Sequence, residues 1–110
     1  MANALRPLLS SLFIVVGTAA EAQSIQSMMA ECRQGSTYCV GYMEGVQTLM
    51  QANCQLGGLE ELSIGWFPSM EGGISAFLLW AANNSDKRDW PFFHGVVSAF
   101  NEAFPCDSVR

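Results

Sequence analysis

The chain has 110 residues, five Lys or Arg against ten Asp or Glu, a formal charge of −5, and a hydrophobic content of one half. That length suits one domain, and the acidic balance argues against nucleic acid, whose phosphates need Lys and Arg, and against an anionic membrane surface. The only histidine is His94, so no two-histidine metal site exists.

Residues 1–22 read as an export signal. Arg6 is the one charge ahead of an apolar core, Leu8 to Val16, and Ala20-Glu21-Ala22 supplies the small residues for cleavage before Gln23. The apolar run is about half the roughly 20 residues that cross a bilayer. Processing would leave a single domain over 23–110. It removes Arg6 and Glu21 together, so the charge of −5 is unchanged. Four cysteines in a short exported chain, Cys32, Cys39, Cys54 and Cys106, read as two disulfides. A domain this small buries too little apolar surface to do without such staples.

Four helices are predicted. The first covers 24–32, with Ile25, Met28 and Met29 at helical spacing, and Gly35 ends it. Ser36 or Thr37 can cap the second, over 37–52, in which Cys39, Met43, Val46 and Met50 recur on one side. Gly41 and Gly45 lie four apart on this helix. Two mid-helix glycines on one face point to a close approach by another backbone, with Tyr42 beside them in the packing. Residues 55–72 are irregular, with one helical turn over 60–63, and Trp66 and Phe67 are expected to pin this segment to the core. The third helix, from 69 or 71 to 83, buries Ile74, Phe77, Leu78 and Ala81. It is apolar nearly all round, so it is either central or covered by a partner chain. After a polar connection, Asp89 is the expected cap of a fourth helix over 90–104, with Pro91 in its first turn. That helix should bury Phe93, Val96, Val97, Phe100, Ala103 and Phe104. The fold class is therefore all-α, a small bundle of about four helices stapled by two disulfides.

Geometry selects the cysteine pairing. On a continuous second helix, Cys39 and Cys54 stand about 22 Å apart, whereas a disulfide needs Cα atoms roughly 4.4–6.8 Å apart. Cys32, beyond the other end of that helix, is poorly placed for Cys54. Cys32–Cys39 and Cys54–Cys106 remain.

Catalysis is not expected. The Cys-x6-Cys spacing is not that of a structural zinc site. The adjacent Glu60 and Glu61 face different ways, and no phosphate loop or serine nucleophile motif is present. His94 on an amphipathic helix reads as a surface or half-buried residue. No cofactor or metal is implied.

The stretch Cys39-Val40-Gly41-Tyr42-Met43-Glu44-Gly45-Val46, with Cys32 before it, Cys54 after it and Ala99-Phe100…Ala103-Phe104-Pro105-Cys106 at the end, resembles the Rap/Tai family of type VI secretion amidase immunity proteins. The resemblance implies an all-helical periplasmic protein, often a homodimer, that blocks the active site of a secreted peptidoglycan amidase effector without catalysing a reaction. In that family an interhelical loop enters the effector's cleft. The matching segment here is 83–89, which makes Asn84, Ser85, Asp86 and Lys87 the effector-binding residues. The segment between Cys54 and the third helix is longer here and rich in Gly, Trp and Phe. The other reading is a small disulfide-tied periplasmic stress chaperone, which acid should activate by exposing apolar surface.

Overall fold

The computed structural model describes residues 23–108, and the expected export signal over 1–22 lies outside the described residues. Four helices make the architecture: α1 Ile25–Arg33, α2 Thr37–Gln55, α3 Met70–Asn83 and α4 Phe92–Ala103. Among the described residues there is no strand, only an isolated antiparallel bridge between Ser24 and Pro91.

Each helix starts on a local signal. Ser24 caps α1 through a reciprocal box, in which its hydroxyl accepts from the Ser27 N–H and the Ser27 hydroxyl accepts from the Ser24 N–H, both at 3.1 Å. Ser36 caps α2 by accepting from the Cys39 N–H, and Ser69 caps α3 by accepting from the Gly72 N–H. The ends of α1 and α2 share one device. Gly35 and Gly57 sit at φ +64° and +73°, and the pair of bonds Gly35→Cys32 and Ser36→Glu31 is repeated as Gly57→Cys54 and Gly58→Asn53. Both are Schellman closures, in which a left-handed residue lets the last carbonyls find donors.

The start of α4 departs from expectation. It begins at Phe92 rather than 90, and Asp89 makes no cap. The preceding residues are used otherwise: Pro91 is extended in the bridge to Ser24, and the Phe92 N–H donates to the Gln23 carbonyl at 2.8 Å. The segment ahead of α1 thus satisfies one of the free N–H donors at the start of α4. The buried face also differs by one position. Phe92 is fully buried, whereas Phe93 and Ala103, both expected inside, are exposed.

The core forms where the four helices meet. From α1 come Ile25, Met28 and Met29, and from α2 Met43, Val46 and Met50; α3 adds Phe77 and Ala81, and α4 adds Phe92, Val96 and Phe100. Gly95 allows α4 to lie close to the rest, since a Cβ there would stand 2.8 Å from Ile25 Cγ1 and 3.1 Å from Phe77 Cε1. Phe77 and Phe92 meet edge to face at 5.2 Å, a favoured aromatic geometry. Both disulfides pair as geometry required, with Cα separations of 5.3 Å for Cys32–Cys39 and 5.8 Å for Cys54–Cys106.

Segment 56–69 is held down by hydrogen bonds, although it has little regular structure. Asn53 donates to the Leu59 carbonyl and the Ser63 hydroxyl, and Asn101 donates to the carbonyls of Glu60 and Ser63. The Ile64 and Gly65 N–H groups reach the Met50 and Phe104 carbonyls. The two aromatics divide. Phe67 packs edge to face on Phe100 and Phe104, at 5.1 and 4.9 Å, whereas Trp66 is 68% exposed.

Of the three residues expected to pack on α2, only Tyr42 does so. Its ring lies 4.6 Å from that of Phe92. Gly41 and Gly45 are exposed, and a Cβ at either would meet nothing within 4 Å, so the expected close approach is not made within the chain. Each still costs the helix about 1 kcal/mol relative to alanine. Burial, and then the neighbouring Tyr38, push the Tyr42 phenol above its usual pKa. The fold therefore favours the neutral phenol. Its contribution is complete below about pH 10, the unfolded value, and is lost as pH rises from there through the folded pKa. Urea midpoints should fall as pH rises above about 10, and Tyr42→Phe should reduce that fall. An equal fall in both proteins would refute the assignment to Tyr42.

Candidate binding surface at the α3–α4 connection

Of the four residues singled out from the sequence as effector-binding, Ser85, Asp86 and Lys87 form one short 3-10 turn between α3 and α4, and Asn84 sits at the junction between the end of α3 and that turn. Local bonds shape it. The Asn84 amide donates to the Trp80 carbonyl at 2.8 Å and so closes the end of α3. The Lys87 N–H then returns to the Asn84 carbonyl, and the Trp90 N–H to the Lys87 carbonyl. From outside, the start of α1 braces the connection: the Ile25 and Gln26 N–H groups donate to the carbonyls of Trp90 and Arg88, at 2.9 and 2.8 Å.

The four side chains have different surroundings. Asn84 is half-buried and its amide is committed to Trp80. Lys87 folds back: its Nζ is 3.4 Å from both Asn84 Oδ1 and Asp86 Oδ2 and lies over the Trp90 ring at 5.5 Å. Ser85 and Asp86 are exposed. The Asp86–Lys87 pair is solvated and contributes little to stability. Its carboxylate and the cation–π contact together fix where the Lys87 charge sits. His94 is exposed, one turn into α4, with its ring 4.5 Å from that of Trp90.

Beside this turn lies a groove that sequence reasoning did not locate. It has a volume of about 240 Å³ and runs between α3 and α4, with Ala76, Leu79 and Trp80 on one side, Ala99 and Glu102 on the other, and Asn84 at its end. Leu79 is 65% exposed. The signal was present in the uninterrupted apolar character of the third helix. Phe77 and Ala81 are indeed central, and the outer side, Leu79, is left open to the groove. Which side would be open depended on how α4 crosses α3, which no local pattern encodes.

Among the described residues no cluster of three or more His, Cys, Asp or Glu could hold a metal ion, and no helix is long and apolar enough to cross a membrane. The two disulfides fit an oxidising compartment. Fold and surface together define an all-helical, disulfide-stapled domain with a braced polar turn beside an apolar groove. No family model, curated protein or solved structure matches the chain.

Proposed function

We propose that the chain is a periplasmic immunity protein, exported by residues 1–22, that binds a type VI secreted peptidoglycan amidase and blocks its active site sterically. The observation that carries this reading is the braced turn. Asn84 and the α1 N-terminus hold its backbone, Lys87 is restrained over Trp90, and Ser85 and Asp86 face outward next to an apolar groove. A turn ordered before binding loses little entropy on docking. A polar rim around an apolar anchor site is also the usual anatomy of a protein interface. The amidase class comes from the resemblance of the cysteine frame and the Cys-x-Gly-Tyr-x-x-Gly stretch. In this reading the protein is a homodimer, needs no cofactor, performs no reaction, and contacts neither nucleic acid nor membrane.

The test is an amidase assay with effectors of the same secretion system. The processed, oxidised protein should abolish peptidoglycan cleavage at equimolar ratio. Exchanging the turn charges, Asp86→Lys with Lys87→Glu, should weaken inhibition by ten-fold or more, in the range of an interface hot spot. Undiminished cleavage in the presence of excess protein would refute the reading. The stress-chaperone alternative draws on the apolar side chains already exposed, Leu56, Leu59, Trp66 and Leu79. Apolar-dye binding and protection of an aggregating client that both rise on acidification from about pH 7 to about pH 2 would favour it.

A further inference from the structure

The first residues after the expected cleavage site are built into the fold rather than left loose. Chain ends usually fray, yet residues 23–26 are all paired with the segment that leads into α4. The Gln23 carbonyl accepts from the Phe92 N–H at 2.8 Å, and Ser24 bridges to Pro91. The Ile25 and Gln26 N–H groups hold the carbonyls of Trp90 and Arg88. Gln23 is the outermost rung of this ladder, and its carbonyl serves a free donor at the start of α4. Its side chain has no such task. Gln23 is half-buried, and its Oε1 is buried without a hydrogen-bond partner, an uncommon state for a buried polar atom.

We propose that processing before Gln23 makes this residue a modification site, and that it cyclises there to pyroglutamate. The inference rests on the export reading given above. Glutamine suits the step because its amide carbon closes a five-membered ring on the residue's own amine. An α-amino group titrates at about pH 8, so an appreciable neutral fraction exists near neutrality. In that form the nitrogen attacks Cδ of the side-chain amide. A bond forms from the amine nitrogen to Cδ, the Cδ–Nε2 bond breaks, and a proton passes from the attacking to the leaving nitrogen. Ammonia departs, and the lactam keeps Oε1 as its carbonyl oxygen. No oxidant, reductant or co-reactant is consumed. Because Oε1 has no partner, turning the amide onto the amine sacrifices no hydrogen bond of that oxygen. The ring forms on the amine side of Cα, so the carbonyl that serves Phe92 is untouched. The product has neither the charge nor the primary amine of an ordinary chain end. An aminopeptidase, which grips that amine, then has no starting point, and the ladder bracing the α3–α4 connection keeps its last rung.

Intact mass and N-terminal sequencing of the exported protein test it. The chain should start at residue 23, weigh one ammonia less than residues 23–110 with both disulfides formed, and resist stepwise degradation from the amine. Pyroglutamyl aminopeptidase acting on the unfolded chain should remove the block and expose Ser24. Gln23→Ala, which has no side-chain amide, should show its full mass and a free amine. A general aminopeptidase acting on the folded proteins should shorten Gln23→Ala and speed exchange of its Phe92 amide, while the parent stays intact. A chain that begins at any other residue would overturn both the processing reading and the ring. One that begins at Gln23 and keeps its ammonia through prolonged incubation near neutral pH would overturn the ring alone. Equal resistance of the two proteins to the aminopeptidase would overturn the protective role of the ring and assign protection to the Ser24–Pro91 bridge.

Discussion

Replacing Cys54 and Cys106 by alanine lowers the stability of the oxidised protein by about 4 kcal/mol, the chain-entropy value for a loop of this length. The bond joins residues 52 apart and ties the end of α2 to the residues just after α4. Everything between them, including segment 56–69 and the α3–α4 connection, belongs to the loop it closes in the unfolded chain. The Cys32–Cys39 bond, with a separation of seven, should contribute about 2.5 kcal/mol on the same basis. Small domains often have only 5–15 kcal/mol in total, so the loss at Cys54–Cys106 should bring the midpoint of thermal unfolding close to working temperature. Denaturant titration of the two double variants under oxidising conditions checks the order. Equal losses at the two sites would contradict it.

The second large effect is expected at Phe100. Its ring is fully buried and packs edge to face against Phe67 and Phe104, at 5.1 and 6.0 Å. Truncation to alanine removes a whole aromatic from the core and leaves a cavity walled by helices that cannot all move in, at a cost of about 3–5 kcal/mol. The damage should also reach the irregular segment, because Phe67 is one of its anchors on α4. Phe67→Ala should cost less, since that ring is only half-buried and the hydrogen bonds from Asn53 and Asn101 remain. Amide exchange at residues 60–67 should rise in both variants, and the unfolding free energy should fall more steeply in Phe100→Ala. Phe100→Leu, which keeps most of the volume, should recover much of the loss. An Phe100→Ala protein as stable as the parent would show that α4 is not the centre of this core.

These two expectations concern the frame rather than the surface it holds. Disruption at Cys54–Cys106 or Phe100 should weaken effector inhibition only as far as it unfolds the chain, whereas the Asp86 and Lys87 exchanges should act with stability unchanged. Measuring stability and inhibition together therefore separates residues that build the scaffold from residues that make the contact.

Much of the frame is determined locally, and so was legible in the sequence. Helical spacing of Ile25, Met28 and Met29, and of Cys39, Met43, Val46 and Met50, marks buried faces because a side chain three or four residues on returns to the same side. Gly35 and Ser36 mark a stop and a start because a left-handed closure and a side-chain cap need only their immediate neighbours. Even the disulfide pairing followed from one long-range fact, the length of α2. Tertiary structure alone decided the rest. Phe92 rather than Phe93 faces the core because Gln23 and Ser24 take the backbone ahead of α4, a contact between residues about 70 apart in the chain. Trp66 and Phe67, adjacent and similar, part company because only Phe67 reaches Phe100 and Phe104. The groove beside Leu79 exists because two helices cross with alanines between them, and the openness of Gly41 and Gly45 depends on what fails to cover them. The sequence by itself specified a stapled four-helix frame, since those signals act within a few residues. Which surfaces that frame leaves free was settled by packing between distant segments.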